Sequence, residues 1–201
     1  MRTDESVVRA SKKLSWLLRH AKPSDQGAVA RDAAGWATVS DVLQATGLTR
    51  ELLERVVRDN DKQRFELSGE SIRAAQGHSR ESADSTELEA SWERYRSSDS
   101  VWHGTRVSAA FAIAESGISA MNRTHVHLAP SPESIVGKRS GVDILLEVSP
   151  ERLRSKGIEL FKSPNGVILC RSVPSGCIIG LRTLTRAGER NEARLLDAFG
   201  F

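Results

Sequence analysis

Cysteine is scarce in this chain. Cys170 and Cys177 are the only two in 201 residues, seven apart and outside any CxxC pattern. That spacing argues against a disulfide framework and against a cysteine-based structural zinc site. Two reduced, buried thiols in a cytosolic protein are expected instead. No apolar run approaches the ~20 residues that a membrane span requires. The opening Met1-Arg2-Thr3-Asp4-Glu5 carries no apolar segment of the signal-peptide kind. A cytoplasmic location with no membrane partner follows as the expectation. Internal repeats and low-complexity tracts are also lacking. Histidine is sparse too, with five in the chain, so the places where it occurs are informative.

The rest of the composition is ordinary for a globular protein, with 39% hydrophobic and 27% charged residues. The length suits one large domain or two small lobes. The net charge of +3 favours a polyanionic partner mildly and is equally explained by solubility.

Apolar residues at helical spacing (Val7, Ala10, Leu14, Leu17, Leu18) predict a helix from about Glu5 to His20, ended by Pro23 and Gly27. Gly35 to Val39 reads as a short strand or turn. Ser40 or Asp41 is placed to cap a helix that stops at Gly47, and Thr49 to cap another through Leu52, Leu53, Val56 and Val57. Arg64–Leu67 and Ile72–Ala74 alternate like strands around Ser68-Gly69-Glu70. Helix, short strand, two helices and a hairpin is the order of a winged helix, a scaffold used for nucleic acids and also for plain interaction modules. Residues 80–100 change to Ser, Glu, Asp and Arg and read as a linker with one helical stretch from Thr86 to Arg96. Beyond it strands dominate: Val101–His103, His125–Leu128, Ile144–Val148, Val167–Cys170 and Ile178–Leu181. Helices are expected at Val107–Ser116 and through Leu195 and Leu196. The domains are thus 1–79, a linker at 80–100, and 101–201.

Four of the five histidines fall in segments that could carry chemistry. Arg19-His20 closes the first helix, an always-charged fork beside a titratable imidazole, suited to gripping a phosphate and managing its protons. Read alone, it is better taken as a solvated helix end, favoured by ~0.3–1 kcal/mol by the helix dipole. Arg64 begins a hairpin strand, as a surface charge or as a third member of that set. His103-Gly104-Thr105 ends a strand where a glycine permits close backbone approach and the flanking side chains offer donors. His125 and His127 fall on one face of a strand. A catalytic zinc usually needs a third protein ligand, and none stands nearby at convincing spacing, so bonds to a ligand or to core carbonyls are the preferred reading. Gly137-Lys138-Arg139-Ser140-Gly141 is a basic turn in which Arg139 offers another fork. Asn165-Gly166-Val167 is a hairpin-type turn signal.

In this order, these segments resemble the NAD-dependent RNA 2′-phosphotransferases, the family of the tRNA-splicing phosphotransferase. The resemblance runs through Ser11–His20, Gly35-Trp36, Asn60–Phe65, Ile72–Ser79 (IRAAQGHS), His103–Thr105, Gly117–Leu128 (GISAMNRTHVHL), Val136–Gly141 (VGKRSG), Ser163–Leu169 (SPNGVIL) and Val173-Pro174. It implies an α+β protein with an N-terminal winged-helix RNA-binding lobe, a C-terminal β-rich lobe like an ADP-ribosyltransferase, and a cleft between them. It further implies an Arg-His-Arg-Arg set on the RNA 2′-phosphate, matched to Arg19, His20, Arg64 and Arg139. NAD⁺ would fall to His103, Gly104, Thr105, His125, His127, Asn165 and Gly166. Ala75, Ile168, the loop Ala21–Val29 and the linker depart from the family pattern, and none of these changes removes a contact residue.

The implied reaction has an internal RNA 2′-phosphate displace nicotinamide from NAD⁺, followed by release of 2′-OH RNA and ADP-ribose 1″,2″-cyclic phosphate. It needs no metal, and a monomer suffices. Two alternatives stand beside it: ADP-ribosylation of terminal nucleic-acid phosphates, and a non-catalytic winged-helix nucleic-acid-binding protein.

Overall fold

The computed structural model describes residues 5–137 and 141–201. The chain forms two compact units. The first comprises residues up to Trp92 together with Asn122–Thr124, and the second Glu93–Met121 with His125–Phe201.

In the first unit, α1 (Glu5–Arg19) turns Val7, Ala10, Leu14, Leu17 and Leu18 inward. They pack with Val42, Leu53, Val56, Phe65 and Ile72 into one core. A two-residue strand, β1 (Ala37–Thr38), leads directly into α2 (Val39–Thr46), and α3 (Arg50–Arg58) follows. Thr38, rather than Ser40 or Asp41, is the N-cap of α2. Its hydroxyl accepts from the Asp41 N–H, so the helix starts earlier than the sequence suggested. Gly47 ends α2 in the left-handed conformation, and Thr49 caps α3 as expected. The hairpin β2 (Phe65–Ser68) and β3 (Ser71–Ala74) pairs through Leu67↔Ile72. β1 adds to its other side through Ala37↔Ile72, giving the antiparallel order β1-β3-β2. Residues 80–100 hold more structure than a linker: α4 (Ser85–Ala90), capped by Asp84, in the first unit, and the strand β4 (Glu93–Arg94) in the second. The helix is shorter than the predicted Thr86–Arg96 because the chain turns extended at Glu93 to pair with a later strand.

The second unit is built on two small antiparallel sheets. In one, β8 (Ile144–Val148) lies between β5 (Val101–Thr105) and β12 (Ile178–Thr183). In the other, the order is β4-β9-β10-β7, with β7 (Val126–Leu128), β9 (Phe161–Lys162) and β10 (Ile168–Cys170). Reciprocal backbone bonds between Trp102 and Ala129, 2.9 and 2.7 Å, join β5 to the end of β7. A third, two-stranded piece pairs β6 (Ile118–Ser119) with β11 (Ser172–Val173). The helices α5 (Val107–Ser116), α6 (Pro150–Ser155) and α7 (Arg186–Phe199) complete the unit. Its core gathers Val101, Leu128, Ile144, Leu146, Val148, Leu153, Ile168 and Leu195 with both cysteines, which are free and buried. The fold is therefore mixed α and β with several small antiparallel sheets. No helix among the described residues is long and apolar enough to cross a membrane.

Gly117, which ends α5, is the tightest backbone position. Its φ is +76°, and a Cβ there would stand 2.3 Å from the Val173 carbonyl oxygen. Gly157 has a similar φ of +73° but open space around it. Gly157→Ala is expected to cost about 1 kcal/mol, the backbone strain alone, and Gly117→Ala about 2–4 kcal/mol because β11 must also move. Urea unfolding of the two variants measures the difference. Equal losses would mean that the Val173 contact contributes nothing.

Candidate functional site

The end of α1 is held from two directions. The Arg31 guanidinium donates to the carbonyls of Leu17 (3.1 Å), an acceptor that the helix end leaves open, and of Ala21 (2.6 Å) and Ser82 (3.2 Å). The Arg19 carbonyl accepts from the Ser79 N–H at 2.9 Å and from the hydroxyls of Ser79 and Ser82. The segment 122–124 lies along the same stretch: Ser79 bridges to Arg123, the Arg80 N–H bonds the Asn122 carbonyl, and the Thr124 N–H bonds the His78 carbonyl. Arg123 is thereby carried to the end of α1.

Arg64 arrives from the loop before β2. Asn60, 9% exposed, organises that loop: its Oδ1 accepts from the Lys62 N–H and from the Arg64 guanidinium at 3.1 Å. Gln63 takes a left-handed φ of +44° to make the turn. The Arg19 guanidinium donates to the Arg64 carbonyl at 3.4 Å and lies over the Phe65 ring, 5.9 Å from its centroid. Its Nε is buried without a hydrogen-bond acceptor. Gly77 passes beside it at a φ of +92°, a conformation that favours glycine, and a Cβ there would make only ordinary contact, 3.5 Å from an Arg19 terminal nitrogen.

The electrostatics at this helix end favour an anion over a cation. Arg19 is lowered to about 10, first by burial and then by the charges of Arg64 and Arg123. His20, on the exposed end of the helix, is also lowered, by partial desolvation and then by Arg19, Arg123 and Arg31. At neutral pH the guanidiniums remain charged and repel one another; two unit charges 4 Å apart repel by about 4 kcal/mol at an effective dielectric of 20. A dianion among them would add attractions to each cation that outweigh these repulsions. Arg19, His20 and Arg64, expected together, are together, and Arg123 joins them. Arg139 lies outside the described residues.

His78 stands behind this group. It is 1% exposed, and neither ring nitrogen has a hydrogen-bond partner. Its pKa is lowered to about 3 by burial and then by Arg19, Arg31, Arg73 and His20. It also lines an open cavity of about 510 Å³ with Arg31, Asp32, Asp84 and Glu87. Its three carboxylates make that cavity a poor phosphate site; the cations at the end of α1 are better suited to an anion.

In the second unit His103 and His127 come together: His103 Nδ1 is 3.2 Å from the His127 carbonyl oxygen. Thr105 ends β5, paired with Ile144, and Gly104 pairs with Leu145. The place a Gly104 Cβ would occupy is taken by Val142, at 3.1 Å, so this glycine serves packing as well as backbone access. His125 precedes β7 and is buried, whereas His127 within it is partly exposed, opposite Leu169. Asn165-Gly166 makes the β9–β10 turn. Gly166 has φ +79°, its N–H bonds the Ser163 carbonyl at 2.8 Å, and the Ser163 hydroxyl is 2.8 Å from Asn165 Oδ1. Among the described residues no group of three or more His, Cys, Asp or Glu is placed to hold a metal ion.

The model of the RNA 2′-phosphotransferase, Tpt1 / KptA family matches residues 5–172. The chain belongs to this family. As a member of the RNA 2′-phosphotransferases it is a transferase enzyme. It is 39% identical over 173 residues to a protein of Pseudomonas syringae pv. tomato named "Probable RNA 2'-phosphotransferase", covering 82% of this chain and 89% of that one. Relatives of the same name from Acaryochloris marina (35% over 182 residues, 86% and 96%) and Burkholderia pseudomallei (39% over 178 residues, 84% and 92%) match at similar extent. Arg123, His78 and Asn60 escaped assignment from the sequence although each lies inside a stretch that carried the resemblance: GISAMNRTHVHL, IRAAQGHS and Asn60–Phe65. Arg123 had the clearest signal, an arginine two residues before the His125-Val126-His127 run.

Proposed function

We propose that this chain removes an internal 2′-phosphate from RNA with NAD⁺ as co-substrate. The observation that carries the reading is the convergence of Arg19, His20, Arg64 and Arg123 at one helix end, three cations whose mutual repulsion a phosphate dianion offsets, beside an imidazole. The first unit is read as a winged-helix RNA lobe, supported by its order of helix, strand, two helices and hairpin with β1 on the hairpin's outer side. The second is read as an ADP-ribosyltransferase-like lobe. In it His103, Gly104, Thr105, His125, His127, Asn165 and Gly166 take NAD⁺, a reading supported by the His103–His127 link and the ordered Asn165-Gly166 turn.

In the first step an oxygen of the 2′-phosphate attacks C1″ of the nicotinamide ribose. The glycosidic C–N bond breaks, and nicotinamide leaves with the electron pair that neutralises its ring. A phosphomonoester is mostly dianionic near pH 7 and needs no base for this; orientation supplies most of the rate. In the second step the ribose 2″-hydroxyl attacks phosphorus. The bond from phosphorus to the RNA O2′ breaks, O2′ gains a proton and the attacking hydroxyl loses one. Arg19, Arg64 and Arg123 hold the nonbridging oxygens as charge builds on them. His20 supplies the proton to O2′, since a bound dianion raises an imidazole that the free site keeps lowered. The protein acts as a monomer in the cytoplasm, where the RNA substrates include those left by splicing-type ligation.

An oligoribonucleotide with one internal 2′-phosphate, incubated with and without NAD⁺ and resolved by chromatography, tests the reading. Loss of the phosphate should require NAD⁺ and release one nicotinamide per phosphate removed. Turnover without NAD⁺, or none with it, would overturn the proposal.

A further inference from the structure

The helix that ends at Arg19 has a second face. Its inner side fills the core of the first unit, while Arg9, Lys12, Lys13, Trp16 and His20 are exposed along the outer side. The spacing places Lys12, Trp16 and His20 one turn apart in a line, and Arg9 beside them. α1 carries four cations, Arg9, Lys12, Lys13 and Arg19, against one acid, Glu5. That surplus, four less one, equals the net +3 of the entire chain, so the cations and acids of all other residues balance. Among the described residues no ion pair ties Arg9 or Lys12. Trp16 is 47% exposed in the middle of this face, a large aromatic surface that folding leaves in water.

We infer that this outer face of α1 is the track of the RNA strand next to the 2′-phosphate: Trp16 stacks a neighbouring nucleobase, and Arg9 and Lys12 take phosphodiesters beyond it. The inference rests on the functional reading above and adds where the flanking nucleotides go. A basic stripe interrupted by an exposed aromatic is the combination that holds a single strand, charge following the backbone and a ring receiving a base whatever its identity. The line ends at His20, so a strand on it delivers a ribose 2′-position to the phosphate-gripping group. A membrane surface fits less well, because the apolar side of α1 is occupied by the core, and among the large hydrophobic residues of α1 only Val8 and Trp16 are exposed.

Fluorescence anisotropy of a labelled nine-nucleotide RNA bearing a central 2′-phosphate tests this on the full-length protein without requiring turnover. Trp16→Ala should weaken binding about tenfold and Trp16→Phe by no more than about threefold. Against RNAs made abasic at one nucleotide beside the 2′-phosphate, one position should erase the difference between wild type and Trp16→Ala. Arg9→Ala with Lys12→Ala should weaken the nine-mer, leave a 2′-phosphorylated dinucleotide unaffected, and lower the salt slope by about 0.7 for each phosphate contact removed. Thermal melting checks that the variants fold. Unchanged affinity for the nine-mer in Trp16→Ala, or equal losses on the nine-mer and the dinucleotide, would overturn the inference. So would binding to anionic vesicles that depends on Trp16 while RNA binding does not. Absence of NAD⁺-dependent turnover in wild type alongside intact Trp16-dependent binding would overturn the enzymatic reading and leave the track standing.

Discussion

Arg64→Ala, Arg123→Ala and His20→Ala proteins should convert 2′-phosphorylated RNA to its ADP-ribosylated form and then stall. The two steps make different demands on the same side chains. The first needs the dianion positioned; its charge falls as the new bond forms, so loss of one cation is partly offset by a more nucleophilic phosphate. The second concentrates charge on the nonbridging oxygens and places a developing alkoxide on the RNA O2′. Removal of one donor aimed at such charge costs ~10²–10³-fold. Single-turnover reactions with end-labelled RNA, quenched over time, separate starting RNA, intermediate and 2′-OH product. The second step should slow by ~10²–10³-fold in each variant while the first slows less, and the intermediate should become the main species. Arg139→Ala supplies the counter-test. Intermediate building up in Arg139→Ala but not in Arg123→Ala would return the fourth guanidinium to Arg139. Full second-step rates in all four variants would remove the cluster from the chemistry.

Much of this arrangement was legible in the residues. The periodicity of Val7 through Leu18 marks the buried face of α1, and the same periodicity sends Arg19 and His20 to its end. Thr49, Gly47 and the Ser68-Gly69-Glu70 turn act through local backbone chemistry and hold in place. What the sequence could not supply were contacts set by distant pairing. β4 is two residues long and exists because Phe161–Lys162 lies beside it, so residues 80–100 read as linker. Thr38 overtook Ser40 and Asp41 because the pairing of β1 with β3 fixes where the chain turns into α2. Arg123 belongs with Arg19 through the pairing of 122–124 with 78–80, residues 44 apart in number at Ser79 and Arg123, and no spacing rule reaches across that interval. The Arg139 assignment came from its basic, glycine-flanked turn and its segment's resemblance, and Lys138–Ser140 lie outside the described residues.

His78 gives the second large effect, and it concerns stability. In the folded protein its pKa is about 3, held down by burial and then by Arg19, Arg31, Arg73 and His20. In the unfolded chain it returns to ~6.5. Between those values the unfolded state binds a proton that the folded state refuses, so stability rises with pH across the window. The contribution is whole above ~6.5 and is lost progressively as pH falls toward ~3. At ~1.4 kcal/mol per pH unit, His78 alone should cost about 3 kcal/mol between pH 7 and pH 4.5. Asp32, Asp84 and Glu87 line the same cavity and are common to wild type and a His78 variant. Urea unfolding of wild type and His78→Gln at a series of pH values isolates the effect, because every other group titrates in both proteins. The amide keeps a polar side chain of similar reach and cannot charge, so the variant should lose distinctly less stability than wild type on acidification, and the two curves should approach or cross below pH 5. Parallel curves would mean that the imidazole is protonated in the folded state, with an acceptor for each N–H. The cations around it would then be balanced by the cavity carboxylates instead of standing ready for a phosphate.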